Sequence, residues 1–408
     1  MCFYAYFCLR LALDSDDVET FLGFAVFSYQ NGILFGLLSG SIASLLIVRL
    51  LSTLPSPANR VRIVLCFNAI QLVAITVINV WISSSIPETS TQLLVENPSY
   101  QLSGTTLASI ALVASTLCGS AVLNEDSPGT LGLRIVTLIA TELLLGMLSY
   151  TSQLLGSNSG TVCILGIAGL LSAFGILSVM RHRGVGEPAV SRTVVGARFA
   201  VTSLVLALGC WLVAVEFYRS DASKMLRIFG FNEHTLLNSS VSSRIDLADQ
   251  FWTHWSYSPV VGEFFVDRLT TGPGTYIHSL VSTLPHLGLM GTALLLIYLL
   301  TVAAEIASRI RHERRRACAT TAVFSAALLA LILLTALASA FLTWTPLWFA
   351  LGLLASPIAL KPFGKGVIAA GVAQSDHAPN INKRPAKPRT PQHTGSLSAH
   401  RAHSQGSG

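Results

Sequence analysis

Runs of about twenty apolar residues, separated by short polar stretches, recur along most of this chain, and no long segment alternates apolar with polar positions. A run of that length crosses the hydrocarbon core of a bilayer as a helix. The missing alternation argues against a transmembrane β-barrel. The pattern predicts spans at about 20–53 (one long helix or a tight pair), 61–84, 105–124, 131–152, 160–180, 197–217, 277–304, 317–342 and 343–360. The stretch "MCFYAYFCLRLAL", followed by the acidic "DSDDVE", reads as the tail end of a further span. A short first helix and a start inside a longer gene both fit it. The expected fold is therefore an all-α, polytopic membrane protein with about nine or ten crossings.

Composition agrees with the pattern. The chain is 52% hydrophobic and 11% charged, against about 25% charged residues in soluble domains. The seven cysteines lie in or beside apolar segments and form no CxxC pair; they read as small buried hydrophobes. There is no metal-ligand spacing and no nucleotide-binding glycine motif, and nothing implies a nucleic-acid partner.

The placement of basic residues orients the spans. The segment 181–198 carries Arg181, Arg183, Arg192 and Arg198, and "RIRHERRR" (309–316) carries five arginines. Both belong in the cytoplasm, with the basic tail. The segment at about 218–276 then lies outside, as do 87–104 and 153–160. Four regions follow: membrane helices over 1–217, an extracytoplasmic loop over 218–276, membrane helices over 277–360, and a cytoplasmic tail over 361–408. The tail is rich in Pro, Ser, His and basic residues and is expected to be disordered. The long loop occurs once, which argues against a symmetric two-repeat transporter.

Charged groups at bilayer depth are costly and are candidates for function. Glu142, in "LIATELLLGML", is the clearest. The physics favours an interhelical hydrogen bond made by a protonated or paired carboxyl. Asn68, Gln71 and Asn79 share one span and read as helix-packing contacts. The outer loop gathers Arg219, Lys224, Arg227, Arg244 and Arg268 with Trp252, His254, Trp255, Tyr257 and Tyr276. One reading is a solvated loop with aromatic residues at the interface. The other is an anion site facing a sugar, because guanidinium forks bind phosphate oxygens and aromatic faces suit sugar rings. Within the loop, "SSRIDLADQFWTHW" is amphipathic and predicts a short surface helix that Ser242 or Ser243 can cap. His278 opens the next span on its wet side, where imidazole titrates near neutrality and can take a proton from a hydroxyl; an interfacial residue without a role fits equally. His286, two turns deeper, reads as helix packing.

The ordered set Arg244, Pro259 with Gly262, His278 with Ser279, and Gly288 with Gly291 resembles the C-terminal region of the O-antigen ligase and polymerase family. The late "TWTPLWFALGLL" (343–354) resembles the closing span of that family, and the likeness covers roughly 155–360. The resemblance implies a GT-C-like membrane fold at the bacterial inner membrane. It implies an enzyme that moves a glycan from a polyprenyl-diphosphate carrier to a sugar hydroxyl on a glycan or lipid-linked acceptor, without metal or nucleotide. Carried over, Arg244 holds the diphosphate, and His278 deprotonates the acceptor or orients the donor. The sequence departs from the family at Asn158, where an arginine is expected, so Arg268, Arg227 or Lys224 would replace that cation. Ser191 and Arg192 fall on the cytoplasmic side. A second, smaller departure is Ser279 in place of asparagine. Tyr276 joins the expected substrate contacts. A polymerase of O-antigen, capsule or exopolysaccharide is favoured over a ligase to lipid A-core. From another class, a flippase for a lipid-linked sugar or a non-catalytic component of an export complex remains as an alternative.

Overall fold

The computed structural model describes residues 2–14, 27–54, 56–85, 99–123, 131–154, 157–181, 250–264, 266, 280–314, 319–337, 342 and 344–355. All of them belong to one compact unit, Met1–Pro362. The helices in chain order are α1 (Cys2–Leu13), α2 (Phe27–Thr53), α3 (Pro57–Ser85), α4 (Ser99–Val122), α5 (Leu131–Leu154), α6 (Asn158–Arg181), α7 (Phe251–Tyr257), α8 (Thr283–Arg314), α9 (Ala319–Leu337) and α10 (Thr345–Ala355). A 3-10 turn, Leu280–Ser282, leads into α8. There is no strand among the described residues.

Seven helices are long and apolar enough to cross a membrane: α2, α3, α4, α5, α6, α8 and α9. Their outer surfaces carry large apolar side chains such as Phe35 and Ile70, each 70% exposed. On a water-soluble protein such a surface drives association; on this one it is the lipid contact. The predicted span at 197–217 and the tail at 361–408 lie outside the described residues. The predicted span at 343–360 has a described helix of only 11 residues, short of the bilayer core. The described part of the predicted surface helix, α7, starts at Phe251, and Gln250 at its N-cap makes no side-chain cap. The serines proposed as caps, at 242 and 243, lie outside the described residues.

Named contacts fix the register of the bundle. α3 and α5 run parallel: Asn68 Nδ2 donates to Thr141 Oγ1 at 2.8 Å, and Thr151 Oγ1 donates to Asn79 Oδ1 at 2.6 Å. α5 and α6 run antiparallel, joined by Arg134 with Ser178 near one end and Ser152 with Ser157 at the other. Arg134 also bonds the carbonyl of Val122 at the end of α4. α2 and α10 run parallel at close range, because an added Cβ at Gly40 or Gly352 would meet the facing backbone closer than 3.0 Å. Small residues of this kind let membrane helices approach where no hydrophobic effect drives them together. This register puts Arg49, Arg60, Arg62, Arg134, Arg181, Arg309 and Arg311 at one end of the bundle, called here the basic end. Arg10, Asp14 and Glu263 sit at the far end.

The intramembrane polar residues behave as the physics favours. Asn68 and Asn79 join α3 to α5; Gln71, between them on α3, differs, its Oε1 being buried without a hydrogen-bond partner. Ser172 Oγ on α6 donates to Glu142 Oε1 on α5 at 2.8 Å, with the carboxyl buried. Glu142→Gln keeps an acceptor for Ser172, so its thermal unfolding in detergent should shift by less than about 1 kcal/mol. Glu142→Ala should cost about 1–3 kcal/mol. If glutamine were as damaging as alanine, the charge rather than the helix contact would be what matters.

Candidate functional site

The far end of the bundle contains a helix interrupted by a piece of the segment 218–276. Within α8, Gly288 has φ 63° and ψ −174°, a conformation that only glycine adopts without strain. Three residues earlier, Pro285 has no backbone N–H to give. The turn Ser258–Phe264 docks into this break. Gly262 N closes the turn on Ser258 O at 2.8 Å, with φ 76° at Gly262. Each glycine lies so close to the other that a Cβ on either would meet backbone atoms closer than 3.0 Å.

The turn supplies hydrogen-bond partners for backbone groups freed at the break. In an unbroken helix Leu289 N would bond Pro285 O. Here Leu289 N donates to Pro259 O at 3.0 Å, and Pro285 O accepts from Glu263 N at 2.9 Å. Met290 N donates to Val260 O at 3.0 Å. Leu289 N, Met290 N and Pro285 O thus find partners in the turn. Non-helical backbone at membrane depth is tolerated only under such cover. From Leu289 to Arg309 about twenty residues remain, the length of one bilayer core. With Arg309 at the opposite boundary, the break would sit at the edge of the hydrocarbon layer on the far side.

α1 fastens the same junction. Tyr6 Oη lies 2.8 Å from Val261 O and 3.1 Å from Leu287 O, and its single proton is shared between the two carbonyls. Arg10 Nη2 donates to both oxygens of Asp14, at 2.7 and 2.8 Å, and to Gly262 O at 2.7 Å. Asp14 Oδ2 in turn accepts from Phe264 N at 2.8 Å. Beneath these polar contacts, Phe7 meets Phe264 edge-on at 5.1 Å, and Phe264 lies 5.5 Å from the ring of His286. His286 is 7% exposed, which agrees with a packing role. Phe264 and Val266 are each 1% exposed, so this stretch of the segment 218–276 is core and not a solvated loop. On the surface beside it, Trp252 and Tyr257 of α7 are exposed, and Trp255 Nε1 donates to Pro259 O at 3.3 Å.

The structure thus brings together four of the residues that the sequence marked as loosely spaced motifs: Pro259, Gly262, Gly288 and Gly291. The last of these packs on the ring of Tyr6. Asn158 is the first residue of α6, at the far end. The residues expected to touch substrate, namely Arg227, Arg244, Arg268, Tyr276 and His278, lie outside the described residues, as do Lys224 and Ser279. In sequence, Arg268 follows Val266 by two positions and His278 precedes Leu280 by two. Tyr6, Arg10 and Asp14 were missed by the sequence reading. The available signal was their spacing, i, i+4 and i+8, which puts all three on one helix face. Among the described residues, no three His, Cys, Asp or Glu side chains gather closely enough to hold a metal ion.

No protein-family model, curated protein or solved structure matches the chain. What is established is a multi-pass, all-α membrane protein with an interrupted helix at its far end.

Proposed function

We propose that this protein transfers a glycan from a polyprenyl-diphosphate carrier to a sugar hydroxyl at the outer face of the bacterial inner membrane, and that it works as a polysaccharide polymerase. The far end is then the outside, in keeping with the arginines gathered at the other end. The observation that carries the reading is the docking of Pro259–Gly262 into the break at Gly288. Two motifs of the resemblance, remote in sequence, form one junction at the bilayer boundary. A lipid-linked donor presents its diphosphate at that depth.

The chemistry needs few groups. The acceptor hydroxyl gives up its proton and its oxygen attacks the anomeric carbon. The bond from that carbon to the diphosphate oxygen breaks, and the diphosphate leaves with the electron pair. His278 takes the proton or orients the donor. Arg244 holds the diphosphate as its charge grows, with Arg268 or Arg227 as the second cation, and fixed cations of this kind stabilise a leaving group. Tyr276 offers a face to the sugar.

The test is the purified full-length protein in lipid bilayers, given a polyprenyl-diphosphate-linked repeat unit. Growth of the glycan on its carrier supports the polymerase. Transfer to lipid A-core alone would make it a ligase, and no product with either acceptor would sink the reading. Arg244→Lys should lower the rate on the order of ten- to a hundred-fold, because an ammonium does not reproduce the bidentate fork. Full activity in that variant would remove Arg244 from the diphosphate site.

A further inference from the structure

The junction has two hydrogen-bonding solutions. In one, α8 is continuous, with Leu289 N bonded to Pro285 O, and the turn is free. In the other, the one observed, those groups bond Pro259 O and Glu263 N instead. Side chains that bind only the docked form add to its stability over a continuous α8. Two side chains of α1 and that of Asp14, the residue directly after it, do so. Tyr6 reaches one carbonyl on each partner, Val261 O on the turn and Leu287 O at the break. Arg10 holds Gly262 O. Asp14 holds Phe264 N.

We propose that Tyr6, Arg10 and Asp14 are positioning residues, a latch by which α1 keeps the Pro259–Gly262 turn in the Gly288 break and so holds the outer loop in register for glycan transfer. The role in transfer rests on the function proposed above; the latch itself does not. The Arg10 side chain supports a specific reading of the ion pair. All three of its bonds to Asp14 and Gly262 come from Nη2, while Nε has no hydrogen-bond partner. The planar fork of arginine is unused here, so a lysine ammonium, with three donors on one nitrogen, can serve.

The experiment compares wild type, Tyr6→Phe, Arg10→Ala and Arg10→Lys as full-length protein in lipid nanodiscs. Two readouts are taken: amide hydrogen exchange over 258–266 and 286–291, and transfer kinetics with a polyprenyl-diphosphate-linked repeat unit. Tyr6→Phe keeps the ring on which Gly291 packs and removes only the hydroxyl, so it should fold even if Arg10→Ala does not. Tyr6→Phe and Arg10→Ala should speed exchange in those two segments by about ten-fold or more, with exchange in α3 and α5 unchanged. Per folded molecule, kcat should fall about ten-fold with the donor KM within about two-fold. Arg10→Lys should restore both. A merely structural contact would instead loosen the helices generally and lower yield without a local signature. Unchanged exchange in Tyr6→Phe, or no rescue by Arg10→Lys, would overturn the latch. Faster local exchange with unchanged kcat would overturn its part in transfer. Wild type inert towards every lipid-linked glycan, with local exchange raised in the variants, would refute the proposed function and leave the latch standing.

Discussion

Gly288→Ala is expected to be among the most damaging single substitutions in this protein. A Cβ at Gly288 would meet Val260 O and Gly262 N closer than 3.0 Å, and φ 63° is itself unfavourable for alanine. The backbone term alone is about 1–3 kcal/mol, and the clash is with backbone that has no rotamer to yield. The total should exceed about 4 kcal/mol for the docked form. The chain has an escape, because alanine favours a continuous helix in which Leu289 N bonds Pro285 O. The variant should therefore straighten α8 and expel the turn. The expected result is a folded bundle in which the peptide bonds at 258–266 become sensitive to protease. Gly262→Ala should have the same outcome for the same contact, and the double variant should be little worse than either single one. Gly146→Ala is the control: nothing lies within 4 Å of its Cβ, and it should be neutral or stabilising by up to about 1 kcal/mol. Wild-type protease resistance in Gly288→Ala would mean that the turn does not occupy the break.

The contrast between those glycines shows where the sequence was informative. Apolar length was enough to place five described spans within a few residues, because a bilayer helix needs only its own backbone bonds and an apolar surface. Glu142 was legible as a helix contact for a related reason: a carboxyl at that depth needs a polar partner, although nothing local names Ser172. The break in α8 was not legible. The run from 277 to 304 reads as one continuous span. What makes Gly288 a break is the turn that fills it, and that turn lies in a loop. α1 was harder still. Arg10 and its acceptor Gly262 are 252 positions apart, so the pairing has no local signature. The ring stack of Phe3 on Trp348 likewise joins the two ends of the described chain. Of the residues proposed to face substrate, the sequence supplies candidates through the composition of the loop, the position of His278 and the resemblance; the part it shares with the structure is the scaffold at Pro259, Gly262, Gly288 and Gly291.

His278→Ala should abolish surface glycan assembly while the protein remains in the membrane. Removing a general base costs about 10²- to 10⁴-fold in rate, enough to empty a polymer ladder on a gel. The comparison to make is a deletion strain complemented with wild type, His278→Ala or His286→Ala. His286 is the informative partner because it lies on the same stretch of chain, yet its ring is buried against Phe264. Its loss opens a cavity at the junction and should reduce both protein yield and the amount of glycan, with long chains still formed. His278→Ala should do the reverse, with normal yield and no transfer. A single repeat unit on its acceptor, in both the deletion and the His278→Ala strains, means a polymerase that works through this histidine. Long chains stranded on the lipid carrier mean a ligase. A wild-type ladder in His278→Ala would remove the histidine from the chemistry. The glycan-transfer reading would then lose its only candidate base, and transport of a lipid-linked sugar would become the better account of a loop docked into a broken membrane helix, since broken helices are what transporters use to line a substrate path.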